Sequence, residues 1–155
     1  MKAPFLRKVT LDDTLLLFEW TTDATTRSNS FQTQPIDYTS HADFVNKKVL
    51  SSSTLWYVYI VEQIPVGQVR LELDSRIGLI SFSIAPKYRG NGYGEAMLEC
   101  LENSIRHMDI MSLVGLVKLE NKSSQRIFEK LLYKANDEKH HIRYSKMIIP
   151  HQKHY

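Results

Sequence analysis

Ile80-Ser-Phe-Ser-Ile-Ala-Pro-Lys-Tyr-Arg-Gly-Asn-Gly-Tyr-Gly94 runs an apolar strand through a basic, glycine-rich turn into a segment, 93–107, whose apolar residues recur at helical spacing. A turn of this kind grips an anion. Without side chains at Gly90, Gly92 and Gly94, the backbone can take positive φ and approach a ligand closely, while the first N–H groups of the following helix converge on it. Arg89 adds a fixed charge with a fork of donors. Two phosphate-binding patterns fail on spacing: a G-x-G-x-x-G turn beginning at Gly90 would need glycine where Glu95 stands, and a P-loop would need G-K-[ST] where the chain reads Gly94-Glu95-Ala96.

With 155 residues the chain has the length of one domain, expected to span 1–155, and enough material for a proper core. Its 43% hydrophobic and 24% charged content is that of a soluble globular protein. The apolar runs 55–61 and 112–117 are too short to cross a membrane, and the first seven residues lack a signal peptide's apolar region. The lone Cys100 permits no internal disulfide and suits a reducing compartment, so a cytoplasmic location is expected. A net charge of +3 favours a phosphate-bearing ligand, but the chain lacks the dense basic stripe of a nucleic-acid binder. Much of the basic excess lies in the tail, from Lys139 to Lys146 and then at His151, Lys153 and His154, read as a solvated strand and frayed terminus.

Outward from the turn, the pattern alternates strands and helices. A strand is expected at 5–9, a helix opened by the capping box Thr10-x-x-Asp13, an irregular polar stretch at 20–34, and a helix opened by Ser40-x-x-Asp43. Strands at 55–61 and 68–73 follow, joined by a turn over 63–67. In the second, Val69, Leu71 and Leu73 point one way and Gln68, Arg70 and Glu72 the other. After the strand at 79–84 and the glycine turn come an amphipathic helix with Cys100 on its buried stripe, a strand at 112–119, a helix at 121–133 and a last strand at 142–149. This order predicts an α/β (α+β) mixed sheet flanked by helices, with parallel pairing where helices connect strands.

The motif Arg89-x-x-Gly92-x-Gly94 resembles the acetyl-CoA signature of the GNAT family of N-acetyltransferases, and the segment Val117-Lys-Leu-Glu-Asn121-Lys-Ser-Ser-Gln-Arg-Ile-Phe128 is similar to that family's strand-Asn-helix segment. The resemblance covers nearly the whole chain. It implies a twisted, mostly antiparallel sheet of six to seven strands with about four helices and one splayed strand pair. It also implies acetyl-CoA as donor, held by Arg89, Gly90, Asn91, Gly92, Tyr93, Gly94 and Asn121, with the pantetheine arm beside Phe82 and Ile84. A diverging strand pair leaves backbone groups that an amide-bearing arm can satisfy as an added strand would.

A narrower resemblance lies in Trp20-x-x-Asp23-x-x-x-Arg27-x-x-Ser30-Phe31 and Pro65-Val-Gly-Gln-Val-Arg-Leu-Glu72, similar to acetyltransferases of bacterial nucleotide-activated amino sugars of the pseudaminic and legionaminic acid type. It implies an amine on a small, nucleotide-linked molecule as acceptor. Acetyltransferases of ribosomal protein N-termini carry similar pieces, so a peptide α-amine is the alternative. Arg27 is a candidate for a substrate phosphate or for a surface ion pair, and Arg70 a candidate substrate contact. A homo-oligomer is compatible with the sequence; nucleic-acid and membrane partners are not expected.

Two positions depart from the family pattern. Phe128 stands where many members have a tyrosine acid, which leaves a non-catalytic acyl-CoA-binding module as a further alternative. Leu132 stands where glycine commonly caps the helix, which predicts a reshaped helix end and turn. For the chemistry, backbone N–H near Ile84 can polarise the thioester, and Glu72 is the candidate base, with pairing to Arg70 or a water relay as its alternatives. Cys100 lies mid-helix without a histidine to activate it, and the six histidines show no ligand spacing. Direct transfer without a metal is expected.

Overall fold

The computed structural model describes residues 2–149; His151, Lys153 and His154 of the basic tail lie outside them. Among the described residues, seven strands form one sheet in the order β1-β2-β3-β4-β5-β7-β6. The strands are β1 Phe5–Lys8, β2 Thr54–Val61, β3 Ile64–Asp74, β4 Ile77–Ile84, β5 Ser112–Lys118, β6 Lys134–Asp137 and β7 His141–Met147. The helices are α1 Thr14–Thr22, α2 Ala24–Asn29, α3 Tyr38–Leu50, α4 Tyr93–Ser104 and α5 Lys122–Lys130. The β4–β5 pair is parallel and the other pairings are antiparallel.

Two cores sandwich the sheet. On one face α4 buries Met97, Leu98 and Leu101 against Val69, Leu71 and Ile80, and Phe128 of α5 joins them. On the other, Leu17, Trp20 and Val45 of α1 and α3 meet Trp56, Val58 and Ile60 of β2. The β-branched and aromatic run of β2 suits it to the centre of a sheet covered on both sides. Period-two alternation in β3 holds as the sequence predicts, with Val69 and Leu71 beneath α4 and Gln68, Arg70 and Glu72 on the opposite face.

Several boundaries differ from expectation. The polar stretch read as irregular is largely helical: α1 runs on to Thr22, and the Asp23 carboxylate caps α2 by accepting from the Thr26 amide at 3.1 Å. Ala-Thr-Thr-Arg-Ser-Asn has no apolar stripe, so periodicity could not show it. Asp37, not Ser40, caps α3, accepting from the Ser40 amide at 2.8 Å. Asp13 does accept from the Thr10 amide at 2.8 Å, but what it opens is a short 3-10 turn, Leu11–Asp13, ahead of α1. Residues 64–67 belong to β3, and the hairpin turn is Glu62-Gln63, both at positive φ, which matches the twist of the flanking strands. Parallel pairing fails for β1 and β2, which pair antiparallel despite the helices between them. The four-residue β6, exposed throughout, has no apolar signal and exists through its pairing with β7.

Candidate active site

The β4–β5 ladder stops short of both strand ends. Pairing runs from Ile77 with Ser112 to Ile80 with Gly115, although β4 continues to Ile84 and β5 to Lys118. Residues 81–84 therefore have no ladder partner on that edge among the described residues. Ala85 donates its amide to Val66 O of β3 at 2.8 Å, so strand alternation aims the backbone groups of Phe82 and Ile84 at the open side. The splay that the resemblance implies is present.

Gly115 sits where the strands part, and a large ring explains why no side chain stands there. A Cβ on Gly115 would lie 2.3 Å from the ring tip of Phe128. Phe128 is buried at 1% exposure, stacked on Tyr144 at 5.1 Å and edge-on to Tyr133 and Phe82. Its ring thus fills the space beside the parting with hydrocarbon. The neighbouring tyrosines have other duties. Tyr133 donates to the buried Glu102 at 3.3 Å, and burial followed by that carboxylate's charge pushes its phenol far up; Lys146 binds the same carboxylate at 2.6 Å. Tyr93 opens α4 and packs against the core.

Beyond the splay, the chain turns at Gly90 and Gly92, with φ of 80° and 77°. Among the described residues nothing lies within 4 Å of where a Cβ would stand at either, so the concave side of the turn is open to a ligand's approach. Gly92 caps α4 without a side-chain bond, and the first-turn amides, including those of Tyr93 and Gly94, lack intrahelical acceptors and carry the positive end of the helix dipole. Asn91 folds back on the turn, donating to Tyr88 O at 3.1 Å and Arg89 O at 3.3 Å.

Arg89 reaches across rather than over the turn. Its Nη2 donates to Asp23 at 2.7 Å and Thr26 at 3.0 Å, and its Nε to Ile84 O at 3.1 Å. The arginine lowers the Asp23 carboxyl below the usual range. On the far side of the splay, Lys118 of β5 donates to Ser28 O at 3.0 Å, and Phe31 meets the His141 ring edge-on at 5.8 Å. Together these contacts lay α2 and the loop after it across the splayed strands. Asn121 caps α5, accepting from the Ser124 amide at 3.3 Å, and the buried Gln125 donates to the last carbonyl of β5, Lys118 O, and to the next, Leu119 O, each at 3.0 Å.

The splayed strands, the open glycine turn and the exposed helix amides fit a long, amide-bearing, phosphorylated ligand. A model of the GNAT acetyltransferase domain matches residues 5–134. The chain belongs to the GNAT acetyltransferase family. As a GNAT enzyme it is an acyltransferase with acetyl-CoA as donor. No curated protein matches it in sequence. Solved structures of the same fold include RimL, a ribosomal L7/L12 alpha-N-protein acetyltransferase in complex with coenzyme A, at 12% identity over 96% of each chain and TM-score 0.83. Spermidine N-acetyltransferase from Vibrio cholerae, with CoA and spermine, has 16% identity over 94% of this chain and 95% of that one, TM-score 0.83. Aminoglycoside acetyltransferase AAC(6')-Ib with coenzyme A has 13% identity over 94% and 95%, TM-score 0.80. At these identities the likeness is one of fold.

The remaining sequence candidates fall apart in space. Glu72 lies level with Thr54 and Leu79, where β4 and β5 are still paired, two residues along β3 from Arg70, which is level with Ser81 at the start of the splayed stretch, or about 7 Å at strand rise. It takes Lys48 at 3.0 Å, Arg70 at 3.0 Å and the Thr54 hydroxyl at 2.9 Å. Burial pushes its carboxyl up, but the hydrogen bonds of Lys48 and Thr54 and the nearby cations outweigh that and hold it below the usual range. Such a clamped carboxylate is a weak base. Arg70 lies over the rings of Phe44 and Trp56, at 4.9 and 5.2 Å, and braces the sheet against α3. Arg27 donates to Gln32 O and lines a cleft of about 520 Å³ with Phe31 and residues 32–36.

Sequence reasoning passed over Asp23 as a partner of Arg89, over Lys118 and His141, and over the chain of Trp56, Gln68 and Ser83. Gln68 was visible on the polar face of β3, but its partners come from two other strands.

Proposed function

We propose that the chain is a single N-acetyltransferase domain over 1–155, cytoplasmic, moving acetyl directly from acetyl-CoA to a primary amine on a small anionic molecule of the nucleotide-linked amino-sugar class. The observation that carries the acceptor class is the charge around the splay. A second cleft, of about 540 Å³, is lined by Ser28, Asn29, Phe31, Lys118, Glu120 and His140. With Arg27 in the adjoining cleft, cations outnumber the single carboxylate, a lining that favours a phosphorylated acceptor and disfavours a polyamine.

In this reading the first-turn amides of α4, beside Gly90, Asn91, Gly92 and Gly94, hold the donor's pyrophosphate, and the open-side backbone groups of Phe82 and the Ile84 amide hold its pantetheine arm, the Ile84 carbonyl being taken by Arg89. Arg89 serves from behind, fixing the turn to α2 through Asp23, and Asn121 serves by shaping the start of α5. Acetyl-CoA supplies an activated thioester. The chain's residues orient the amine beside it and exclude bulk water. Glu72, clamped at the closed end of the sheet, supports the strand rather than the proton transfer, which leaves water as the carrier.

The reading is tested by measuring thiol release from acetyl-CoA with UDP-glucosamine, a seryl peptide, spermidine and an aminoglycoside. Turnover with the nucleotide-linked amine is expected. Turnover with peptide alone, or with the polycations alone, would overturn the acceptor class, and donor binding with no turnover on any of them would overturn the enzymatic reading as a whole.

A further inference from the structure

Trp56, Gln68 and Ser83 form a hydrogen-bond chain across three strands. The Trp56 indole Nε1 is 2.8 Å from Gln68 Oε1, and Gln68 Nε2 is 3.0 Å from Ser83 Oγ. Its direction is fixed by chemistry. An indole N–H can only donate, so the amide oxygen of Gln68 must face Trp56 and its NH2 must face Ser83. Ser83 Oγ therefore accepts from Gln68, leaving one lone pair and its own O–H uncommitted among the described residues.

Those free functions stand in a telling place. Ser83 is level with Gln68 on β3 and three residues past Ile80, the last residue of β4 paired to β5. Its neighbours Phe82 and Ile84 are the two residues whose backbone groups face the opening. Alternation puts Ser83 on the face shared by Gln68 and Arg70, opposite α4 and the face crossed by α2 and its loop. The residue is half-buried there.

We infer that Ser83 is an acceptor-orienting catalytic residue, with Gln68 its positioning residue. The free lone pair of Ser83 Oγ accepts an N–H of the neutral attacking amine, turning the nitrogen's own lone pair toward the thioester carbon. The hydroxyl takes up no proton and forms no bond to acetyl. A serine held by a fixed donor serves this purpose better than a free one, because its rotor is set before the amine arrives. Trp56, pinned under Arg70, anchors the far end of the chain.

The inference rests on the donor placement proposed above but not on the acceptor class, so two amines are used. UDP-glucosamine tests the acceptor reading, and hydroxylamine, small and neutral near pH 7, needs no recognition cleft. With both, Ser83→Ala and Gln68→Leu are expected to lower amine kcat/KM about tenfold, the worth of one oriented hydrogen bond. Acetyl-CoA affinity by calorimetry should stay within about twofold, and Ser83→Thr, which keeps the hydroxyl, should restore most of the rate. Loss with hydroxylamine but no wild-type turnover of UDP-glucosamine sinks the acceptor class and leaves Ser83 standing. If Ser83→Ala keeps its rate, if Thr fails to rescue while melting normally, or if the wild-type enzyme turns over neither amine, the inference is overturned.

Discussion

The two sides of the splayed sheet are built from different materials. The proposed donor side, from Phe82 through the glycine turn to the start of α4, offers mainly backbone: strand groups without a ladder partner, an open turn and helix amides. The proposed acceptor side offers side chains drawn from scattered segments, with Arg27 and Phe31 after α1, Gln68 and Ser83 on the middle strands, and Lys118 and His140 beyond. A backbone site constrains conformation, and conformation leaves a local signature of glycine and spacing. A side-chain site constrains a meeting of distant residues, which leaves none.

The contrast is easiest to break at the point where the strands part. Gly115→Ala drives a methyl into the Phe128 ring, and since that ring is locked among Tyr144, Tyr133 and Phe82, a loss of about 3 kcal/mol is expected in denaturant unfolding. Unchanged stability would mean that the aromatic cluster yields and does not define the opening.

Glu72→Gln separates support from chemistry. It removes the carboxylate facing the half-buried Arg70 and Lys48 and should cost about 2 kcal/mol, less than a fully buried pair because both partners reach solvent. The rate should change by less than about threefold, whereas a lost general base would cost about a hundredfold or more. The sign with pH follows from the lowered carboxyl: its contribution is full above the unfolded value of about 4.3 and is lost as pH falls through the folded one. Thermal melts of wild type and variant should therefore converge toward acid pH.

On the donor side, Gly92→Val forces a branched residue to a φ of 77° at the cap of α4. Strain of about 1–2 kcal/mol in the turn predicts a rise of about tenfold in the acetyl-CoA KM. The acceptor KM should hold, and a shift in it instead would show that the two sides are not separable. The smallest effect is expected away from both. Leu132, 83% exposed at φ 66°, occupies the left-handed position of a Schellman cap, with Leu132 N–H to Glu129 O at 3.1 Å and Tyr133 N–H to Phe128 O at 3.0 Å. Leu132→Gly should keep these bonds, relieve the strain and stabilise by about 1 kcal/mol with activity unchanged.

Leu132 also shows the limits of reading motifs. The departure from glycine suggested a reshaped helix end, yet the cap forms in full, because the contact between Tyr133 and Phe128 holds the turn against the cost of a left-handed leucine. Likewise α2 and β6 escaped the sequence for one reason: neither has an apolar face of its own. Asp23 and the pairing with β7 create them.

The sequence by itself determined the strand, turn and helix of 80–104, the two-sided strand β2, the alternating faces of β3 and an anion-gripping turn, because each depends on short-range periodicity or on where glycine stands; acetyl-CoA as donor was implied by the family resemblance of 89–94 and 117–128. Tertiary structure alone decided that Arg89 turns to Asp23, that Glu72 is clamped at the closed end of the sheet, and that Gln68 aims the Ser83 hydroxyl beside the opening. Those outcomes depend on residues that meet only when the strands are laid side by side, and on competition among partners that no stretch of sequence contains.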